Sequence, residues 1–170
     1  MSRELIIMRH AKSDWNHTAL SDFERPLNKR GQASAPKIGY WLRQQGLLPD
    51  HVVSSPAIRA KQTANLVCAE LGFSRAEIRW DGRIYDAALA DLLAVLTDCP
   101  NTALRVLLIG HNPGLEYLLM HLHSNPKIPH SDKLMPTAAV GHMQLPDDWH
   151  QLDPACGQLL TLQHPRELPD

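Results

Sequence analysis

Cysteine is scarce in this chain, and the three present, Cys68, Cys99 and Cys156, are odd in number, widely spaced and free of any CxxC pair. A disulfide framework and a thiolate zinc site are both excluded on that pattern, and the three read as core or surface thiols. Charge of either sign is also lacking in excess: 17 Lys and Arg stand against 18 Asp and Glu, a net charge of −1. Nothing in that balance points to nucleic acid or a membrane surface, so any anion binding must be local. No apolar run approaches the roughly 18 residues of a membrane-spanning helix, and the N-terminus lacks a basic segment followed by an apolar core and a cleavage site. A cytoplasmic protein is therefore expected. There is no repeat, long linker or low-complexity block, and 170 residues with 44% hydrophobic content fit one domain over residues 1–170 with one core.

What is present starts with Leu5-Ile6-Ile7-Met8, a short apolar run rich in β-branched residues that reads as a buried strand and stops abruptly at Arg9-His10. Ala11 to Pro26 is polar and broken, long enough to be a functional loop. Asn28 is placed to cap a helix over about Lys29 to Gln45 with Gly46 as stop, and Pro36 should kink that helix or mark its true start. His51 to Ser54 can form a second strand. Ser55-Pro56 then offers an N-cap followed by proline at the first helical position, opening a helix over about Ala57 to Leu71 with Arg59 in its first turn.

Ala76 to Trp80 can be a third strand, Ala88 to Asp98 a third helix, and Leu104 to Ile109 an unbroken apolar run of the kind found at the centre of a parallel sheet. That run stops at Gly110-His111, and a fourth helix starts near Pro113 and reaches about His123. Asn125 to Pro136 is a Pro-rich loop, Thr137 to Leu145 and Gly157 to Gln163 are two further strands, and the tail from His164 to Asp170 is expected to be loose. The alternation predicts an α/β fold: a three-layer α/β/α sandwich around a mostly parallel central sheet. His121 and His123, two apart, would face different sides of a helix and so not share a metal.

Three strand-to-helix junctions each deliver basic groups: Arg9 and His10, then Arg59, then His111. In a parallel sheet these junctions open on one edge, where ligands bind, so the four side chains can meet in one crevice. Arginines grip phosphoryl oxygens with planar, bidentate hydrogen bonds, and a neutral imidazole can attack phosphorus and carry the group covalently. Alone, each motif has an ordinary explanation in a turn or a solvated helix face. Their matching placement favours a phosphoryl pocket.

These stretches resemble the histidine phosphatase (phosphoglycerate mutase-like) superfamily. Met8 to Asn16 is similar to its opening Arg-His-Gly motif with Ala11 in place of glycine, Ser54 to Ala64 to its second motif, Gly110-His111 to its third, and Leu27 to Ala33 to the entry of its first helix. The resemblance implies that His10 is the phosphorylated nucleophile, that Arg9, Arg59 and His111 complete the pocket, and that Asn16 binds phosphate, although a turn residue is an equal reading of Asn16. It implies no metal and no other cofactor.

Many members use a glutamate as leaving-group acid. Here Asp86 stands in that region, as an acid or merely as a helix N-cap. A pocket with a weak acid suits phosphohistidine, whose imidazole departs readily, better than a sugar phosphate. With the short chain and the run ending Arg25-Pro26-Leu27, this is similar to the SixA-type phosphohistidine phosphatases, and the partner so implied is a histidine-phosphorylated protein. A phosphatase of small monoesters using Asp86 and a non-catalytic phosphate-binding module are the alternatives. Lys12 and Arg25 are left open between phosphate contact, partner contact and solvated surface charge.

Overall fold

The computed structural model of the chain describes residues 2–16, 18–124 and 134–169. Six strands form one sheet: β1 (Arg3–Arg9), β2 (His51–Ser54), β3 (Arg79–Trp80), β4 (Arg105–Gly110), β5 (Val140–Leu145) and β6 (Gln158–Gln163), in the spatial order β3-β2-β4-β1-β5-β6. The first four are mutually parallel, and β5 runs antiparallel to both β1 and β6. The four helices are α1 (Lys29–Gln44), α2 (Ile58–Leu71), α3 (Leu89–Thr97) and α4 (Gly114–Leu122).

Strand side chains alternate between faces, and this divides the core in two. Leu5 and Ile7 of β1 and Val106 and Leu108 of β4 pack with Leu92, Leu96, Leu115 and Leu118 of α3 and α4. Ile6, Met8, Leu107 and Ile109, one residue out of phase, pack with Ile38, Leu42, Val67 and Leu71 of α1 and α2. Both faces are thus covered, which is why β1 and β4 read as continuous apolar runs rather than alternating ones. The expected three-layer sandwich with a mostly parallel sheet is the architecture observed.

Several boundaries differ, each for a local reason. Pro36 lies inside an unbroken α1 whose start is set by Asn28, its side chain accepting the Gly31 N–H at 2.9 Å. α2 begins at Ile58 and carries no side-chain cap, because its N-cap is Ala57; the Ser55 hydroxyl accepts the Ala57 N–H at 3.2 Å just ahead of the helix. β3 shrinks to two exposed residues behind a 3-10 turn at Arg75–Glu77. β5 starts at Val140 rather than Thr137, since Ala138 adopts a left-handed φ of 63° that breaks the extended run. Of the loop expected from Asn125 to Pro136, residues 125–133 lie outside the described residues.

Of the tail from His164 to Asp170, residue 170 lies outside the described residues. Pro165–Glu167 forms a 3-10 turn, and Leu168 packs against the core on the α1 side, so burial of one leucine holds this segment down.

Candidate active site

The carboxyl ends of β1, β4 and β2 lie side by side: Arg9 pairs with Gly110 and Ser54 with Ile109. Two further hydrogen bonds extend the alignment past the strands, from the His10 N–H to the Gly110 carbonyl and from the Ser55 N–H to the Ile109 carbonyl, each 3.0 Å. The residues that follow, His10, Ser55 and His111, are consequently delivered to one spot. The His10 and His111 rings stand 5.1 Å apart between centroids, and the Arg59 Nε lies 3.3 Å from His10 Nε2. All three side chains are buried.

The tautomer of His10 follows from its partners. Nδ1 lies 2.7 Å from the Ala11 carbonyl oxygen, which can only accept, so Nδ1 carries the proton and Nε2 presents its lone pair toward Arg59. Thr63 of α2 locks the two sides together: its hydroxyl accepts the Ala11 N–H at 3.0 Å and donates to the Arg59 carbonyl at 2.7 Å. Burial is the main force on the ring, with the neighbouring His111, Arg59 and Arg9 charges acting the same way, and the pKa of His10 is lowered to about 3. His111 is lowered to about 4, first by burial and then by Arg59. Near neutral pH both imidazoles are therefore uncharged.

Arg9 completes the set from the end of β1. Its Nη1 donates to the Met135 carbonyl at 3.2 Å, while Nε is buried with no hydrogen-bond partner among the described residues. Burial lowers its pKa, opposed by Glu116. His111 Nε2 lies 2.7 Å from the Ser55 hydroxyl, and its Nδ1 is likewise buried without a partner. Two cations, a nucleophilic nitrogen and two orphaned N–H or N groups in one buried crevice suit a compact anion with several oxygens.

Two residues that the sequence left unassigned, Asp22 and Tyr85, belong to this pocket. The Asp22 carboxylate accepts from Arg59 Nη2 at 3.0 Å and from Arg25 Nη2 at 3.0 Å, and its carbonyl takes Arg59 Nη1 at 2.7 Å. The Tyr85 hydroxyl donates to Asp22 Oδ2 at 2.7 Å, and its ring meets His111 edge-on at 5.5 Å. Tyr85 first, then the two arginines, hold the Asp22 carboxyl well below the usual carboxylate range. Asp22 is thus placed as the counter-ion of both arginines. Arg25 is buried rather than solvated: it hydrogen-bonds the Ser13 hydroxyl and stacks 3.6 Å over the Trp15 ring.

The remaining candidates stand apart. Asn16 is exposed, and its backbone closes a turn on the Asp14 side chain at 2.8 Å. Asp86 is exposed at a left-handed φ of 54° and makes no hydrogen bond or ion pair among the described residues. Nor does it cap α3, whose first turn is closed by Asp91 accepting the Ala88 N–H at 2.9 Å. Lys12 is exposed. Among the described residues no three His, Cys, Asp or Glu side chains converge as a metal would need. His121 Nε2 instead contacts the Leu152 carbonyl and His123 Nδ1 accepts the Leu159 N–H, while Cys68 and Cys99 are buried thiols. No helix among the described residues is long and apolar enough to cross a membrane.

Four basic side chains at the carboxyl edge of such a sandwich define the class, an α/β protein of the phosphoglycerate mutase-like fold. Residues 5–93 match the histidine phosphatase superfamily (branch 1), and the chain belongs to that superfamily. A chloroplastic protein of Arabidopsis thaliana, itself uncharacterized, is 33% identical over 124 residues, 68% of this chain and 57% of its own length, so the chain spans little more than half of that relative. Among solved structures, one assigned to phosphohistidine phosphatase SixA of Nakamurella multipartitia superposes with a TM-score of 0.81 at 29% identity, covering 97% of each chain. The protein histidine phosphatase SixA in complex with tungstate shares the fold, with a TM-score of 0.82, 24% identity and coverage of 98% of this chain and 99% of that one.

Proposed function

We propose that this protein is a phosphatase that removes the phosphoryl group of phosphohistidine in a signalling or phosphotransfer protein, through a covalent intermediate on His10 and without a metal or other cofactor. The observation that carries this reading is the state of His10: proton fixed on Nδ1 by the Ala11 carbonyl, Nε2 unprotonated and beside Arg59. Nε2 attacks phosphorus while Arg9, Arg59 and His111 hold the equatorial oxygens. The substrate P–N bond breaks as the His10 P–N bond forms, and the departing imidazole takes its proton from solvent. The cationic phosphoimidazole is stabilised by the Ala11 carbonyl. Water then displaces the phosphoryl group, releasing inorganic phosphate and restoring neutral His10.

The leaving-group side supports phosphohistidine over an alkyl ester. Asp22 is held ionised by Tyr85 and two arginines, and Asp86 is exposed and unattached, so neither is poised to protonate an alkoxide. The likeness to the Nakamurella structure points the same way. The test offers the protein a histidine-phosphorylated carrier domain and a panel of small phosphate monoesters, with His10→Ala as control and with excess chelator in a parallel series. Rapid dephosphorylation of the carrier, lost in His10→Ala and kept in chelator, is expected. Cleavage of small esters alone, abolished by Asp86→Ala, would overturn the reading in favour of a monoester phosphatase; tight binding without turnover would leave a phosphate-binding module.

A further inference from the structure

Next to the loop that carries His10 is a second concave surface, a cavity of about 390 Å³ that the mechanism above does not use. Five basic residues from three distant parts of the chain line it: Lys12, Arg30 and Lys37, and His164 and Arg166. Arg30, Ala33, Ser34 and Lys37 are spaced i, i+3, i+4, i+7 on α1, so two cations flank a floor of small side chains on one helix face. The opposite face of α1, with Ala35, Ile38 and Leu42, is spent on the core. The far wall exists because the tail folds back and seats Leu168 against the core, which brings His164 and Arg166 over α1.

A protein with net charge −1 has assembled here four permanent positive charges and no carboxylate among the described lining residues. Glu167, which approaches His164 Nδ1 at 3.5 Å, does not line the cavity. Lys12, Arg30 and Arg166 make no side-chain hydrogen bond or ion pair among the described residues. Like charges held in a concavity repel one another, focus the field and raise the local concentration of anions. The volume lies at the small end of ligand pockets, about 300–1,000 Å³, which favours a compact ligand over a macromolecular surface. Two arginines among the cations favour phosphoryl groups, which they can grip in a bidentate manner.

We infer that this cleft is a second anion-binding site, separate from the phosphoryl pocket, for a small molecule bearing two or more phosphoryl groups. It takes such a ligand whether or not His10 turns over phosphohistidine, because binding needs only the cations of the cleft.

The probe is inorganic pyrophosphate, titrated calorimetrically into the full-length protein at low ionic strength. Two binding events are expected: one removed by Arg59→Ala, the other retained in Arg59→Ala and weakened about tenfold by each of Arg30→Ala and Arg166→Ala, the loss of a hydrogen bond to a charged group. Arg30 and Arg166 are both exposed, so these variants should keep native unfolding curves. Should Arg59→Ala fail to fold, the cleft variants must weaken one event about tenfold in the otherwise native protein and leave the other unchanged. A single event sensitive only to Arg59→Ala, or a second event indifferent to Arg30→Ala and Arg166→Ala, overturns the inference. So does a glutamate-rich hexapeptide that binds the cleft as tightly as pyrophosphate, since the surface would then be an acidic-peptide site.

Discussion

Two neutral histidines buried in one pocket make stability depend on pH in a calculable way. His10 and His111 have folded-state pKa values of about 3 and about 4, while an unfolded histidine titrates near 6.5. Because the folded values lie below the unfolded one, the unfolded chain binds more protons between about pH 4 and 6.5, and stability falls as pH falls through that window. At pH 5 each unfolded imidazole gains about 2 kcal/mol from protonation while its folded counterpart stays neutral. The two together should cost about 4 kcal/mol between pH 8 and pH 5, a large part of a typical domain's 5–15 kcal/mol.

The 5.1 Å separation of the rings does not change that sum, since neither is charged in the folded protein at pH 5. His51 and His123, also lowered by burial, add to the total slope but cancel in a comparison. Urea unfolding at pH 8, 7, 6 and 5 of the native protein and of the His10→Gln/His111→Gln double variant should give a pH dependence shallower by about 4 kcal/mol in the variant. Equal slopes, or an NMR titration of the His10 ring centred near 6.5, would refute the burial argument and with it the unprotonated nucleophile.

Other perturbations read different parts of the structure. Arg59→Ala should lower kcat/KM for a phosphohistidine substrate on the order of 10²–10³-fold in steady-state turnover. Arg59→Lys should recover little, because Arg59 makes three contacts with a planar fork, to His10 Nε2, the Asp22 carbonyl and the Asp22 carboxylate. Gly31→Ala drives a Cβ into the Lys12 carbonyl oxygen, a backbone atom two residues from His10, so α1 or the loop must shift. A loss on the order of 1–3 kcal/mol is expected in denaturant unfolding. Trp149→Ala empties a fully buried site and removes the indole N–H from the Ala103 carbonyl at 2.9 Å, and should cost about 3–5 kcal/mol by the same measurement.

Much of the site was legible because it hangs on the most legible elements. β1 and β4 are buried on both faces, so their apolar runs are continuous and their ends sharp, and His10 and His111 are the residues on which those ends fall. Arg59 was placed by the Ser55-Pro56 helix start even though the cap itself was misassigned by two residues. Ser55 has the right chemistry for a cap and its hydroxyl does accept the Ala57 N–H, but only the tertiary structure reveals that the same hydroxyl also meets His111 Nε2 at 2.7 Å. β3 is shorter than its sequence suggests for the opposite reason: only two exposed residues pair in it, so it leaves no periodic signal.

Asp22 and Tyr85 escaped because their positions follow from charge rather than from pattern. Removing a guanidinium from water is costly unless a counter-ion meets it, and the side chains of Arg59 and Arg25 are only 7% and 9% exposed. Both must therefore be neutralised whenever the pocket holds no phosphoryl group. The carboxylate that does so comes from a loop 37 residues before Arg59, three residues before Arg25, and is steadied by a tyrosine 63 residues further on. None of those separations carries a helix or strand period that links all four residues. The same reasoning explains why Asp22 remains 51% exposed: the ion is half in water, so it neutralises the arginines without sealing the pocket against an entering anion.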